Sequence, residues 1–285
     1  MTTKSRRQRG IFLLPNILTT LGVFCGFYGM VSSMSGKYAE ACFALFIAML
    51  MDSFDGRVAR MTGTESDFGA EFDSLADIVS FGVAPALIVY TWADLTSLGK
   101  LGWLAAFAFV ICGALRLARF NVMPETTDKN YFQGLPIPGA AAVLISLVWF
   151  GETMNWDGNA LSVPVAVTTA VTALLMVSNF RYHSFKNVNW KGKVPFVSVL
   201  IMVLVMIMIA SNPPMVLFPV FTLYALSGPV FTLLQIRKLR EERKQQRAKA
   251  DDETVQDTAS VEAATDEKTL EEDIAESVKN EESKS

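Results

Sequence analysis

Histidine occurs once in this chain and cysteine three times, and both shortages narrow the chemistry open to it. His183 sits in a polar, basic stretch and reads as a solvated loop residue. Cys25, Cys42 and Cys112 fall inside apolar runs at no metal-binding spacing, and an odd count argues against a disulfide framework. They read as small buried hydrophobes. A cleaved leader fits poorly: Pro15 and Asn16 interrupt the first apolar run, and no small-x-small site follows. The N-terminal segment is therefore expected to stay in the mature protein.

Apolar residues, by contrast, are abundant. They make up 51% of the 285 residues, and mean hydropathy is +0.33. A soluble domain is rarely so apolar, so the composition points to a polytopic membrane protein. The net charge of −3 conceals an asymmetry. Residues 251–285 hold thirteen acidic side chains against three lysines, leaving 22 basic and 15 acidic groups in residues 1–250. The tail also lacks aromatics, a composition that favours disorder. Nothing in the charge pattern suggests a nucleic-acid partner.

Spans of about 20 apolar residues cross a bilayer core of about 30 Å. Eight segments qualify or nearly so: 13–34, 38–60, 67–92, 98–119, 136–151, 160–180, 194–210 and 214–236. The expected architecture is all-α, a polytopic membrane helix bundle of about eight transmembrane helices. Residues 1–12 form a basic N-terminus, with Ile11–Leu14 expected as an amphipathic lead-in along the interface. Residues 13–236 form the membrane domain, 237–250 a basic juxtamembrane segment and 251–285 the acidic tail. Arg181, Lys186, Lys191, Lys193 and the run after 236 are basic, whereas Lys37 and Lys100 are the only basic residues of the opposite loops. That bias puts both termini in the cytoplasm. Gly22, Gly26 and Gly29 in the first span read as helix-packing positions.

Charge inside the apolar body is concentrated between Asp52 and Asp77. The pattern is Asp52-x2-Asp55-Gly56-x2-Ala59-Arg60, eight further residues, then Gly69-x3-Asp73-x3-Asp77. An ionisable group at membrane depth costs roughly 2.5–3.5 kcal/mol on insertion scales, so it marks a working site by default. On helices, spacings of three and four put each pair of aspartates on one face. Two such helix ends side by side converge four carboxylates, and like charges so close call for a divalent cation or two. Hard oxygen ligands suit Mg²⁺ or Mn²⁺. Glu65 and Asp67 read as solvated loop charges.

This pattern resembles the signature of the CDP-alcohol phosphotransferases, with all eight specified positions present. The resemblance implies an integral membrane enzyme that moves a phospho-group from a CDP-linked donor to an alcohol and releases CMP. It implies Asp52, Asp55, Asp73 and Asp77 as ligands of Mg²⁺ or Mn²⁺, two ions being expected, and Asp77 as general base on the acceptor hydroxyl. It matches Ser66 to a position that contacts the nucleotide, and Pro15-Asn16-x2-Thr19 to a donor-contacting motif. Gly56 clears room for the nucleotide, Arg60 offers a planar fork for phosphate, and Ala59 and Gly69 are expected to keep spans two and three in tight contact.

Phe81-Gly82-Val83-Ala84-Pro85, Arg116-x2-Arg119-Phe-Asn121 and Tyr131-Phe-Gln133-Gly134-Leu-Pro136-Ile-Pro138 resemble the phosphatidylserine synthase branch over residues 11–235. The implied partners are CDP-diacylglycerol, L-serine and the lipid bilayer, with a homodimer expected and the active site facing the cytoplasm of a bacterial-type inner or plasma membrane. A serine carboxylate wants a bidentate arginine, which Arg116 or Arg119 offers, and Asn121 and Gln133 add neutral hydrogen bonds. Both arginines equally fit as snorkelling anchors. Other acceptors stay open. Glycerol phosphate or inositol phosphate needs a denser basic cluster than Arg116, Arg119 and Lys129, and choline favours an aromatic cage such as Phe120, Tyr131 and Phe132 would form. A divalent-cation transporter is the alternative of a different class. It leaves Gly56, Arg60 and Ser66 unexplained, and the acidic pattern has no second copy of the kind internal repeats produce.

Overall fold

The computed structural model describes residues 3–122, 131–183 and 196–235, together with 237, 240, 241, 243 and 244. The chain divides into two units, Met1–Phe231 and Thr232–Ser285. Lys129, Lys186, Lys191, Lys193 and the acidic tail lie outside the described residues.

Unit one is nearly all helical. Helix α1 spans Thr3–Met34, α2 Tyr38–Thr62, α3 Asp67–Asp77, α4 Ala84–Trp92 and α5 Lys100–Val122. They are followed by α6 (Ile137–Thr153), α7 (Ser162–Val177), α8 (Phe196–Ser211) and α9, which covers Pro213–Gln235 and runs across the unit boundary. Helices therefore occupy all eight expected segments, with ends shifted by a few residues. Among the described residues, five segments are long and apolar enough to cross a membrane: Leu14–Met34, Asp67–Trp92, Lys100–Val122, Asn159–Val177 and Pro213–Gln235. Helix α2 carries Glu40, Asp52, Asp55, Arg57 and Arg60, while α6 and α8 have only 17 and 16 residues. The separate lead-in at Ile11–Leu14 is corrected. Helix α1 is continuous through it, and Pro15, which removes one backbone donor, does not end the helix.

Helix α6 lies at the centre. Ile137, Ala140 to Leu144, Ile145 and Val148 are buried, so it is apolar all round, as a helix enclosed by others must be. It packs against α2, α4 and α7. An aromatic column continues the core to α9: Trp149 meets Phe46 at 5.6 Å, Phe46 stacks on Phe221 at 6.1 Å, and Phe150 stacks on Phe218 at 5.0 Å.

Between α3 and α4 the helix does not break but widens into a π-helical stretch, Ile78–Val83. Pro85 has no N–H for the Phe81 carbonyl, and the Ala84 N–H reaches back five residues to the Val79 carbonyl. The wide turn meets α1, where a Cβ on Gly26 would lie 2.9 Å from Ser80 Oγ. The Ser80 hydroxyl donates to the Gly22 carbonyl at 3.4 Å.

Two three-residue strands depart from the all-α expectation. Strand β1 (Tyr131–Gln133) pairs antiparallel with β2 (Arg181–His183), His183 opposite Tyr131 and Gln133 opposite Arg181. His183 is thus a strand residue, not a loop one. Gly134 follows β1 at φ +75°, and a Cβ there would sit 2.2 Å from the Met176 carbonyl oxygen. Only glycine fits both the left-handed backbone and that approach.

Candidate functional site

The acidic motif folds as two helices joined by a capped turn. Helix α2 ends at Gly63 in the left-handed conformation (φ 60°), and the Thr64 N–H donates to the Ala59 carbonyl at 3.0 Å. Ser66 opens α3 as its N-cap, accepting the Gly69 N–H at 3.1 Å. The turn reverses the chain between α2 and α3, and the four aspartates of the two helices line one cavity.

Oxygens of Asp52, Asp55 and Asp73 lie within 4.8 Å of one another. Asp77 is outside that trio, with its carboxyl group in hydrogen-bonding reach of Asp52. All four aspartates line one cavity of about 10 Å³ with Thr19, Gly22 and Ser80, room for about one water-sized atom. Asp55 is 4% exposed and locked in place. Its Oδ2 accepts the Thr19 hydroxyl at 2.8 Å, and its Oδ1 accepts the Gly56 N–H. Among the described residues the only ion pair within 4.0 Å is Lys37–Glu40, at the opposite end of α2. Within that set, then, the aspartates have no salt-bridge partner. An all-oxygen set around a water-sized space fits a divalent cation such as Mg²⁺ or Mn²⁺.

A larger cavity of about 280 Å³ adjoins the acidic cluster. Pro15, Asn16 and Thr19 line it from α1, Asp55, Gly56 and Ala59 from α2, and Ser66, Gly69 and Asp73 from the cap and first turns of α3. Five of the six expected CDP-lipid residues therefore share one space. Nothing lies within 4 Å of a Cβ built on Gly56, so the helix surface there is open. Arg60 is the exception. It does not line this cavity, and its Nε donates to the Gly56 carbonyl of its own helix at 3.0 Å. The tight contact expected at Gly69 between spans two and three is corrected. A Cβ there would approach Ser66 Oγ (3.1 Å) and Asn16 Oδ1 (3.6 Å), so Gly69 brings the α3 cap against α1. Thr64, buried and hydrogen-bonded to Thr62 at 2.7 Å, also lines the cavity. Sequence reasoning missed it because it belongs to no fixed position of the motif.

The four acceptor candidates separate into three environments. Arg119 is exposed and donates to Gln133 Oε1 (2.8 Å) and Asn179 Oδ1 (3.1 Å), tying α5 to β1 and to the end of α7. Asn121 Nδ2 donates to Ser74 Oγ at 3.1 Å, which holds the end of α5 against α3 one residue from Asp73. Arg116 differs from both. Its Nε is buried with no hydrogen-bond partner among the described residues, and Asp77 and Tyr224 are its electrostatic neighbours. A guanidinium N–H left unpaired in a protein interior is costly unless a ligand meets it. Asn179 and Tyr224 carried no signal in the sequence. Each reaches its arginine only through tertiary packing.

A model of the family described as CDP-alcohol phosphatidyltransferase matches residues 12–163. A CDP-diacylglycerol–serine O-phosphatidyltransferase of Helicobacter pylori is 36% identical over 227 residues, covering 79% of this chain and 94% of that protein. An archaetidylserine synthase of Methanothermobacter thermautotrophicus is 37% identical over 171 residues, 59% of this chain and 69% of its own. The crystal structure of the Mycobacterium tuberculosis phosphatidylinositol phosphate synthase with CDP-DAG bound aligns with a TM-score of 0.45 at 18% identity, over 61% of this chain and 88% of that one.

Proposed function

The chain belongs to the CDP-alcohol phosphatidyltransferase family, and from that premise we propose that it transfers the phosphatidyl group of CDP-diacylglycerol to the hydroxyl of L-serine. Family membership sets the cation-transporter reading aside. The observation that carries the proposal is the joining of an unpaired acidic cluster to a cavity lined by Thr19, Gly56 and Ser66. Relatives named as serine O-phosphatidyltransferases favour serine as acceptor.

In this reading Asp52, Asp55, Asp73 and Asp77 hold two divalent ions, which supply positive charge against the diphosphate and polarise the phosphorus under attack. Thr19 and the Gly56 N–H fix the Asp55 carboxylate so that it need not reorganise. Gly56, Ser66, Pro15, Asn16 and Thr19 accept the nucleotide, and Arg60 swings from its helix to the phosphates. Asp77 takes the proton of the serine hydroxyl. The new bond joins serine oxygen to the phosphorus bearing diacylglycerol, the bond to CMP breaks, and its electron pair leaves with CMP. Arg116 is the receptor for the serine carboxylate: it is half-buried, its buried Nε lacks a partner among the described residues, and Asp77 is a charged neighbour. Arg119, Gln133 and Asn121 shape the rim. The same reading includes a homodimer with eight spans, both termini cytoplasmic, and the site at the cytoplasmic face of a bacterial-type inner membrane.

CMP release by the purified protein with CDP-diacylglycerol tests the reading, comparing serine with choline, glycerol phosphate and inositol phosphate. Serine-dependent release is expected, abolished by a chelator and restored by Mg²⁺ or Mn²⁺. Release only with another acceptor overturns serine, and chelator-resistant release overturns the metal assignment.

A further inference from the structure

Hydroxyl side chains inside these helices commonly turn back on their own backbone. Ser53 donates to the Met49 carbonyl at 2.9 Å, Ser74 to Ala70 at 3.0 Å and Thr169 to Val165 at 2.8 Å. An acceptor four residues back is the ordinary solution for a serine or threonine in a helix. Ser80 does otherwise. It is buried in the π-helical stretch that follows Asp77, and its hydroxyl crosses to the Gly22 carbonyl of α1.

The crossing has a shape as well as a bond. A Cβ on Gly26 would stand 2.9 Å from Ser80 Oγ and 3.0 Å from Ser80 Cα, so α1 rests on the backbone of the wide turn and not only on a movable side-chain tip. Gly22 and Gly26, one turn apart, form a seat for Ser80. Thr19 lies three residues before Gly22 on the same side of α1. It is buried, and its hydroxyl donates to Asp55 Oδ2 at 2.8 Å. Thr19, Gly22 and Ser80 line the enclosed cavity together with all four aspartates. Helix α1 therefore touches both halves of the acidic motif: Thr19 meets Asp55 of α2, and the glycine seat meets the turn that continues from Asp77. A helix is stiff along its axis, so a displacement at Gly26 reaches Thr19, about 10 Å away at 1.5 Å per residue.

Resting on the reading of the aspartates as ion ligands, we propose that Ser80 is a positioning residue for the ion site. Seated at Gly22 and Gly26, it sets the height of α1 against the helix that carries Asp73 and Asp77, and α1 in turn places the Thr19 hydroxyl on Asp55. The fit of the two aspartate pairs around a divalent ion then depends on a serine outside the acidic motif.

The test is Mn²⁺ binding to the full-length protein in detergent without substrate, read from the electron paramagnetic resonance signal of the free ion, beside a thermal melt. The variants are Ser80→Ala, Gly26→Ala, Thr19→Val and the double variant Gly26→Ala/Thr19→Val. Gly26→Ala lifts α1 off its seat and is expected to raise the Mn²⁺ Kd about tenfold, because small misplacements of a preorganised site are costly. Thr19→Val removes the hydrogen bond to Asp55 and should also cost about tenfold. Ser80→Ala removes the tether but leaves the seat, and should cost about threefold. Since the seat acts through Thr19, the double variant should bind within about twofold of the weaker single variant. Losses that multiply to about 100-fold mean that the two sites act separately, and overturn the proposal. An unchanged Mn²⁺ Kd in Gly26→Ala overturns it too, even if Tm falls, because the contact is then one of packing alone. If Gly26→Ala does not fold, Ser80→Ala alone and with Thr19→Val decides by the same two criteria. If the wild type binds no Mn²⁺, the reading of the aspartates fails and this inference falls with it. If the wild type binds and the seat variants match it, the inference alone fails.

Discussion

The proposed donor and acceptor sides of the site are built on opposite plans. The donor side draws on α1, α2 and α3, and its aspartates, glycines and Ser66 all fall within 26 consecutive residues, with Pro15, Asn16 and Thr19 on the adjacent helix. Its geometry is local: helical spacing sets each aspartate pair, and one capped turn sets the pairs against each other. The proposed acceptor side is assembled from Arg116 and Arg119 on α5, Gln133 on β1 and Asn179 after α7. These residues come from separate places in the chain between positions 116 and 179. The difference suits the proposed chemistry, in which a CDP-linked donor and a separate acceptor meet at one acidic cluster. Dispersed positions can change without disturbing the metal cluster.

The contrast breaks most visibly at Asp77, which touches both sides. Asp77→Asn keeps size and hydrogen bonding but removes the proposed base, and CMP formation should fall about 10²- to 10⁴-fold. If single-turnover CMP formation instead runs at the wild-type rate, Asp77 is no base. Next comes a paired substitution on the acceptor side. Arg116→Lys removes a planar fork from a half-buried position and should raise the serine KM about 10- to 100-fold. Arg119→Lys, at an exposed residue bonded to two neutral amides, should change the serine KM by no more than about threefold. The reverse order would move the carboxylate receptor to Arg119. The smallest effect belongs to the donor side's scaffold. Ser66→Ala removes the α3 cap and should cost about 1 kcal/mol of stability, read as a Tm lowered by a few degrees in a detergent melt. A loss of CDP-diacylglycerol affinity larger than that stability loss explains would mean that Ser66 also touches the nucleotide.

The donor side was legible in the sequence because short-range spacing determines it. Asp52 and Asp55, or Asp73 and Asp77, share a face on any α-helix, and ionisable groups amid apolar flanks stand out against the cost of burying them. Details governed by contact were less legible. Gly69 looked like a packing position between spans two and three, but it answers to Asn16 and the Ser66 cap. Arg60 looked like a cavity residue and instead bonds its own helix. The π-helical stretch after Asp77 follows from Pro85 and the approach of Gly26 to Ser80, a coupling between residues far apart in the chain. The short sheet escaped notice because three residues carry too little periodicity to signal a strand.

By itself, then, the sequence determined the apolar, membrane-type composition, the helical segments and the acidic motif. Hydropathy and helical periodicity depend on neighbours three or four residues away, and those are written consecutively. Only the tertiary structure decided which of two similar arginines is half-buried, with its Nε enclosed, and which is exposed. Arg116 and Arg119 lie one turn apart on the same helix, and nothing local distinguishes them. What separates them is the surface each meets: Gln133 and Asn179 at one, Asp77 and Tyr224 at the other. Desolvation is a property of the assembled neighbours, so it exists only once α3, α5 and α9 have come together.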